Sequence, residues 1–189
     1  MLLECVEQET GPAPAWTVLW LHGLGADGHD FAPIVPELVR PQWPALRFVF
    51  PHAPVRPVTI NGGMRMRAWY DIVGMDFPTR ADAAGIEESV AQVEALVARE
   101  VERGTPASRI VLAGFSQGGA IALATGLRRQ APLAGLVALS TYLPGGQAVA
   151  AQRHPNAVAQ PVFFAHGDGD PVIAVQHGLA SAQALEQVG

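Results

Sequence analysis

Short apolar runs alternate with helical patterns along most of this 189-residue chain. Each run is apolar on both faces, as are strands of a parallel sheet that helices cover on both sides. Such strand–helix–strand alternation predicts an α/β fold with a mostly parallel central sheet and right-handed connections. The predicted strands are Thr17–Leu21, Leu46–Phe50, Ile110–Ala113, Leu136–Ser140 and Val162–Ala165.

The clearest predicted helix extends from Asp82 to Arg103, because apolar residues recur in it at spacings of three and four. Acidic residues come early and arginines late, which suits the helix dipole, and Gly104 supplies the stop. By contrast, the segment 51–63 holds three prolines and an Asn-Gly-Gly sequence without any regular period. That composition predicts an irregular flap.

The composition limits the possible functions. Hydrophobic residues make up 49% and charged residues 15%, so a large core is expected, and the length suits a single domain over residues 1–189. The net charge of −5 disfavours binding to nucleic acid or to an anionic membrane surface. The sequence shows no signal peptide, and no apolar stretch approaches the ~20 residues that a membrane span needs. Cys5 is a single thiol, which cannot form a disulfide within the chain. We therefore expect a cytoplasmic protein without stable membrane insertion.

The most informative motif is the G-x-S-x-G sequence Gly114-Phe115-Ser116-Gln117-Gly118. It follows a predicted strand and opens the helical run 117–128, which is the strand–turn–helix context of a nucleophile elbow. Ser116 is therefore the predicted nucleophile, and glycines at 114 and 118 would let strand and helix pass closely. The backbone N–H of Gln117, at the helix start, is a predicted oxyanion donor.

A second glycine-rich loop, His22-Gly23-Leu24-Gly25, follows the first predicted strand. In α/β folds with a nucleophile elbow, the second oxyanion donor lies in such a loop. Leu24 is the predicted donor because glycines flank it. A phosphate-binding loop is the competing interpretation, but neither phosphate-loop motif is present. His22 is predicted to hydrogen-bond the loop backbone rather than to act as a catalytic base.

The predicted triad acid follows the last predicted strand, in the order Ser…Asp…His. Asp170 precedes Pro171-Val172 and is the favoured acid, whereas Asp168 lies between glycines and is typical of a turn. The acid would fix the tautomer of the catalytic histidine and stabilise its imidazolium form. Two carboxylates alone make a poor metal site, so no metal is expected.

Five sequence blocks occur in an order that resembles the phospholipase/carboxylesterase family, which includes bacterial carboxylesterases and acyl-protein thioesterases. The resemblance spans residues 18–172, and the segment 58–63 is most similar to the bacterial carboxylesterase branch. The family's α/β-hydrolase fold is thereby implied. The blocks are Leu21–Gly28, Pro51–Pro54, Arg67–Ile72, Gly114–Gly119 and His166–Val172.

The resemblance implies the same catalytic parts: Ser116 as nucleophile, Asp170 as acid, and Leu24 and Gln117 as oxyanion donors, with no cofactor. It also implies that three further residues lie in or near a flap over the acyl pocket, with core packing as the alternative for them. These three residues are Met64, Met66 and Trp69.

The family differs from this sequence at the catalytic histidine, which it carries some thirty residues past the acid, before a last helix. Here Gly189 is nineteen residues past Asp170. We therefore expect the domain to be incomplete at its C-terminal end, with its last strand ending at Ala165. We also expect Ser116 Oγ to have no histidine nitrogen within ~3.2 Å. The alternative is a triad rebuilt from a nearer histidine: His154, His166 or His177.

The function predicted from these residues is that of a serine carboxylesterase, which cleaves short- to medium-chain acyl esters through an acyl-enzyme on Ser116. Acyl-protein thioesterase or lysophospholipase activity is the alternative within the same chemistry. A non-catalytic binding protein with this fold is the alternative from another class. The expected partners are a small-molecule ester or thioester and a second copy of the chain as a homodimer, without nucleic acid.

Overall fold

The central feature of the computed structural model, which describes residues 2–74 and 82–188, is a six-stranded sheet. Its strands are β1 (Cys5–Glu9), β2 (Trp16–Leu21), β3 (Leu46–Pro51), β6 (Ile110–Phe115), β7 (Gly135–Leu139) and β8 (Val162–Ala165). Their spatial order is β1-β3-β2-β6-β7-β8. Every pairing is parallel except that of β1 with β3.

Helices cover the sheet and surround the apolar core. They are α1 (Val35–Leu38), α2 (Ala83–Glu102), α3 (Gln117–Gly126), α4 (Gly146–Ala151) and α5 (Val175–Glu186). Helix α2 begins at the N-cap Asp82, whose side chain accepts a hydrogen bond from the backbone of Gly85, and it extends almost as predicted. Its apolar face packs in the same buried cluster as α3 and the central strands. The α/β-hydrolase fold predicted from the sequence is confirmed.

The sheet brings three loops to the carboxyl ends of its strands. Strands β2, β6 and β8 run in the same direction, so the loops that follow them leave from the carboxyl end of the sheet. The segment after β2 starts at His22, the one after β6 starts at Ser116, and the one after β8 contains Asp170. Ligands of open α/β sheets bind at this end, so the candidate residues lie together by topology.

The segment 51–63 differs from its prediction as an irregular flap. It contains strand β4 (Val55–Val58), which pairs in antiparallel fashion with β5 (Met64–Arg67) in a small second sheet. The connection includes Gly62 and Gly63, both with positive φ, which L side chains rarely adopt. Pro57 is tolerated because a two-stranded ribbon has an unpaired edge on each strand. Short strands with prolines lack the alternation of apolar and polar residues by which a strand is recognised, so the sequence did not reveal this ribbon.

Within residues 2–74 and 82–188, the last strand of the main sheet is β8, which ends at Ala165 as predicted. It forms one edge of the described sheet, and Phe163 on it is exposed. None of the helices found in the described residues is both long and apolar enough to cross a bilayer.

Candidate active site

Ser116 occupies a sharp turn between β6 and α3. Its backbone has φ 53° and ψ −121°, a conformation that a non-glycine residue rarely adopts. Such strain costs about 1–3 kcal/mol and persists only where the surroundings impose it. Here the Ser116 N–H donates to the carbonyl of Leu139, and the Thr141 hydroxyl donates to the Ser116 carbonyl at 2.6 Å. The local geometry is that of the predicted nucleophile elbow.

Close approach of backbones explains the two glycines of the motif. A Cβ on Gly114 would lie 2.3 Å from the carbonyl oxygen of Gly118, and a Cβ on Gly118 would lie 2.4 Å from that of Leu21. Both distances are far below any real Cβ contact, and the obstructing atoms belong to the backbone. The glycines therefore let helix α3 start directly beside the end of β2.

Two backbone N–H groups are available near Ser116 as oxyanion donors. Gln117 is the first residue of α3, where helix N–H groups have no partner within the helix. Leu24 lies in the turn after β2, and both residues line the same cavity as Ser116. No hydrogen bond within the described residues uses either N–H. The oxyanion role of this pair stays a prediction, which this arrangement supports.

His22 holds the loop after β2 in place, as predicted. Its ring is buried, its Nδ1 donates to the Gly23 carbonyl at 2.7 Å, and its Nε2 accepts the backbone N–H of Ala53 at 3.0 Å. Burial lowers the pKa of the imidazole, which suits a neutral ring with one donor and one acceptor nitrogen. Both nitrogens are used by the backbone, so His22 is not available as the base for Ser116.

The side chain of Gln117 joins the elbow to the segment after β5. Its Oε1 accepts the backbone N–H of Trp69 at 2.8 Å, and its Nε2 donates to the carbonyl of Tyr70 at 2.7 Å. The indole Nε1 of Trp69 donates to the carbonyl of His22 at 2.9 Å. One amide side chain thereby satisfies two buried backbone groups, and the residue with the predicted oxyanion donor also aligns residues 69–70.

Asp170 is the more firmly held of the two candidate acids. Its Oδ1 accepts the backbone N–H groups of Val172 and Ile173, at 2.9 and 3.0 Å, and it is half-buried. The hydrogen bond from Ile173, assisted by that from Val172, lowers the pKa of the carboxyl, so it is ionised at neutral pH. Asp168 is exposed in a turn, as its glycine neighbours predict. The role of Asp170 as triad acid stays a prediction.

His166 lies beside Asp170, the candidate acid. Its Nε2 donates to the Ile173 carbonyl at 2.8 Å and is 3.6 Å from Asp170 Oδ2. Across residues 2–74 and 82–188, no hydrogen bond joins a histidine nitrogen to Ser116 Oγ. This agrees with the expectation from the sequence, and it means that the triad is not rebuilt locally around His166.

A small cavity of about 60 Å³ opens at Ser116 and Gln117. Its other lining residues come from the loop after β2, the segment after β5, the loop after β7 and the loop after β8. They are Leu24, Tyr70, Ile72, Tyr142, Val172 and Ile173. The lining is mostly apolar, which suits an acyl group next to a serine hydroxyl.

The three residues predicted for the acyl pocket do not line this cavity. Met64 is 64% exposed at the start of β5, and Met66 lies half-buried on the same strand, where its sulfur accepts the Asn61 amide. Trp69 is fully buried beneath Gln117, in agreement with the core-packing alternative. A pocket role for all three residues stays a prediction.

Sequence reasoning missed most of the side chains that shape the cavity. Tyr70 and Ile72 belong to the block 67–72, whose order could have suggested that they lie near the nucleophile. Nothing local indicated Tyr142 or Ile173, because their position depends on how the loops after β7 and β8 fold over the elbow.

Comparisons with known proteins agree with this geometry. A profile of the phospholipase/carboxylesterase family matches residues 3–189. Acyl-protein thioesterase 1 of Mycosarcoma maydis is 40% identical over 192 residues, covering 96% of this chain and 80% of that protein. The similarity extends over nearly all of the elements described above.

Solved structures are similar as well. SOBER1 of Arabidopsis thaliana has a TM-score of 0.84 at 31% identity, covering 92% of this chain and 84% of that one. Acyl-protein thioesterase 2 of Zea mays has a TM-score of 0.79 at 28% identity, covering 97% and 85%. Together with the profile match and the intact nucleophile elbow, these similarities establish that the chain belongs to the phospholipase/carboxylesterase family of α/β-hydrolases.

Proposed function

We propose that this protein is a serine carboxylesterase, which hydrolyses short- to medium-chain acyl esters through an acyl-enzyme on Ser116. The observation that carries the proposal is the strained Ser116 turn, which presents the hydroxyl to an apolar cavity beside the N–H groups of Leu24 and Gln117. A strained residue persists only where its surroundings impose it, and a serine at a helix start beside two unpaired N–H groups suits acyl transfer.

The reaction follows from the placement of these groups. Ser116 Oγ attacks the acyl carbonyl carbon and loses its proton to a base, while the carbonyl oxygen becomes an oxyanion that Leu24 and Gln117 stabilise. The bond between the carbonyl carbon and the leaving oxygen or sulfur breaks, and the leaving group takes a proton. Water then attacks the acyl-enzyme, releases the carboxylic acid and restores Ser116. No step requires a cofactor.

The base that accepts the Ser116 proton is a histidine in a triad of this order. In the described part of the chain Asp170 carries an ionised carboxyl near the cavity, which is the group that orients such a histidine. The proposal therefore requires that a histidine reach both Ser116 and Asp170 in the active enzyme.

A thioesterase acting on acylated proteins is the second candidate, and it rests on a specific observation. The Mycosarcoma maydis relative and the Zea mays structure both carry the name acyl-protein thioesterase, and the former is 40% identical to this chain. Ser116, the oxyanion donors and the acid would act on a thioester in the same way. Carboxylesterase and thioesterase substrates differ in the acyl chain and the leaving group. Lysophospholipids differ from both in the same two respects, so they are a third substrate class for the same active site.

The proposed cellular setting is the cytoplasm, consistent with Cys5, a free cysteine. Burial raises the pKa of its thiol to about 11, so Cys5 is not a candidate nucleophile. The proposed ligand is a small-molecule ester or thioester, and a homodimer stays a prediction.

The test uses the product of the entire gene and a fluorophosphonate probe. We expect covalent labelling at Ser116, and we expect Ser116→Ala to abolish labelling and to lower esterase activity by at least ~10³-fold. Ser108→Ala, which removes an exposed hydroxyl elsewhere, is the matched control and should be labelled normally. Labelling at another serine would overturn the assignment, and an unlabelled, inactive protein would favour the non-catalytic alternative.

A substrate panel then separates the two enzymatic candidates. Butyryl esters, a palmitoylated peptide thioester and a lysophospholipid are compared by kcat/KM. Preference for the short ester supports the carboxylesterase, whereas preference for the palmitoyl thioester or the lysophospholipid assigns the second candidate.

A further inference from the structure

Two buried tyrosines line the cavity at Ser116. The hydroxyl oxygens of Tyr70 and Tyr142 are 2.6 Å apart, and each ring is at most 2% exposed. Tyr70 follows β5 and Tyr142 follows β7, so the pair joins two segments that are distant in sequence. Burial raises the pKa of both hydroxyls above the ordinary value of 10.0, which keeps the pair neutral and hydrogen-bonded.

The burial of the lining residues gives the cavity a direction. Val172 is 62% exposed and Leu24 is half-buried, so these two residues lie at the mouth. Tyr70, Tyr142 and Ile173 are all buried and lie at the inner end. An acyl chain attached to Ser116 and extending inward therefore meets the two tyrosine rings among the described residues.

The backbone of both tyrosines is tied to the nucleophile elbow. The Tyr70 carbonyl accepts the Gln117 amide at 2.7 Å, and Thr141, next to Tyr142, donates to the Ser116 carbonyl at 2.6 Å. On the other side of Tyr142, the Leu143 N–H donates to the hydroxyl of Ser181 at 2.8 Å. Because the two rings are held from their backbones and from their hydroxyls, this wall cannot move aside without breaking buried hydrogen bonds.

The cavity is small for an acyl site. Its volume of about 60 Å³ compares with the roughly 300–1,000 Å³ of pockets that enclose drug-sized ligands. An acetyl, propionyl or butyryl group suits such a space, whereas an octanoyl or palmitoyl chain that extends inward would meet the two rings.

We propose that the hydroxyl-paired rings of Tyr70 and Tyr142 form the inner wall of the acyl site and restrict the enzyme to short acyl chains. This inference rests on the proposed function, and it narrows the substrate class from short- and medium-chain esters to short-chain esters. The hydrogen bond between the two hydroxyls keeps the rings together, because separating them would leave a buried hydroxyl without this partner in an apolar surrounding.

The experiment measures kcat/KM for p-nitrophenyl acetate, butyrate, octanoate and laurate. We expect the wild type to prefer acetate and butyrate. Tyr142→Ala should raise the octanoate-to-acetate ratio by at least about tenfold, since each added methylene in an apolar pocket contributes about 10-fold or more. Tyr142→Phe keeps the ring but removes the hydrogen bond to Tyr70, so its ratio should lie between those of the wild type and Tyr142→Ala.

Thermal unfolding of each variant shows whether it is folded, and Tyr142→Leu replaces the alanine variant if that variant is not. A wild type that prefers octanoate or laurate would overturn the inference, even if neither small variant folds. A folded Tyr142→Ala or Tyr142→Leu with an unchanged ratio would overturn it as well.

The outcomes also separate this inference from the proposed function. Fluorophosphonate labelling of Ser116 together with a long-chain preference refutes the tyrosine wall and leaves the serine hydrolase intact. Absence of both labelling and ester hydrolysis refutes the proposed function itself, and the wall with it.

Discussion

The amide oxygen of Gln117 lies 2.8 Å from the backbone nitrogen of Trp69, and the same glutamine lines the cavity beside Ser116. Gln117, which follows the serine of the G-x-S-x-G motif, is thus a candidate for two separate tasks. Its main chain is a candidate oxyanion donor, and its side chain aligns the segment that carries Tyr70. These two tasks can be tested separately, because a substitution changes the side chain and leaves the N–H in place.

Gln117→Leu should weaken both stability and activity. It leaves the Trp69 N–H and the Tyr70 carbonyl unpaired in a buried position, at a cost of about 1–3 kcal/mol for each group. The shift of residues 69–70 should lower kcat/KM by about 10- to 100-fold, as small displacements near reacting groups do. Urea unfolding and ester hydrolysis measure the two effects.

Gln147→Leu is the control for this variant, because Gln147 is exposed. Within residues 2–74 and 82–188, its amide donates a hydrogen bond only to the side chain of Gln187. Its unfolding free energy and activity should stay near those of the wild type. If Gln117→Leu behaves like this control, the side chain of Gln117 has no positioning role.

Asp170→Asn should lower activity far more than Asp168→Asn. The asparagine can still accept the N–H groups of Val172 and Ile173, so the loop should keep its shape. It cannot stabilise an imidazolium, and the corresponding change in a serine protease costs ~10⁴-fold in kcat. Steady-state kinetics of the two variants provides the measurement, and a greater loss for Asp168→Asn would show that the acid has been chosen wrongly.

Glu100 is the centre of a buried ion-pair network that is remote from the elbow. Its carboxylate is fully buried and lies 3.1 Å from Arg47, 2.9 Å from Arg99 and 3.0 Å from Arg103, and it accepts the Thr17 hydroxyl at 3.2 Å. Burial alone would raise the pKa of this carboxyl, but the three arginines outweigh it and hold the pKa below the ordinary value of 4.5. The network ties α2 to β2 and β3.

Glu100→Gln should destabilise the protein by about 3 kcal/mol at pH 7, the lower end for a buried pair because Arg99 and Arg103 partly reach solvent. Since the folded-state pKa is depressed, the contribution of Glu100 is complete above pH 4.5 and disappears as the pH falls through the lower folded-state value. Urea unfolding at several pH values should therefore show that the difference in unfolding free energy between wild type and variant shrinks as the pH falls below 4.5.

Glu102→Gln, on the exposed side of the same helix, is the matched control. Its unfolding free energy should stay within about 0.5 kcal/mol of the wild type. A Glu100→Gln variant with a similarly small effect, or one whose effect is independent of pH, would contradict the stabilising role of the network.

Local patterns were sufficient for the parallel strands, for α2 and for the elbow. A buried parallel strand is apolar on both faces and a helix repeats every 3.6 residues, so both can be recognised without their neighbours. Strand β1 was missed because Cys5–Glu9 carries two glutamates and lies at the sheet edge, where it is only partly buried. Strand β4 was missed because its proline and the glycines beyond it resemble a loop.

The sequence by itself determined that Ser116 follows a strand and opens a helix, and that Asp170 follows a later strand, since these relations depend on neighbouring residues alone. Only the tertiary structure decided which side chains surround the hydroxyl. Tyr70 and Tyr142 are separated by 72 residues, and Gln117 meets Trp69 across 48. Such pairs arise from the packing of loops against the carboxyl end of the sheet. The periodicity of a helix or strand does not reveal such pairs, because the two residues of each pair are brought together by the path of the whole segment that connects them.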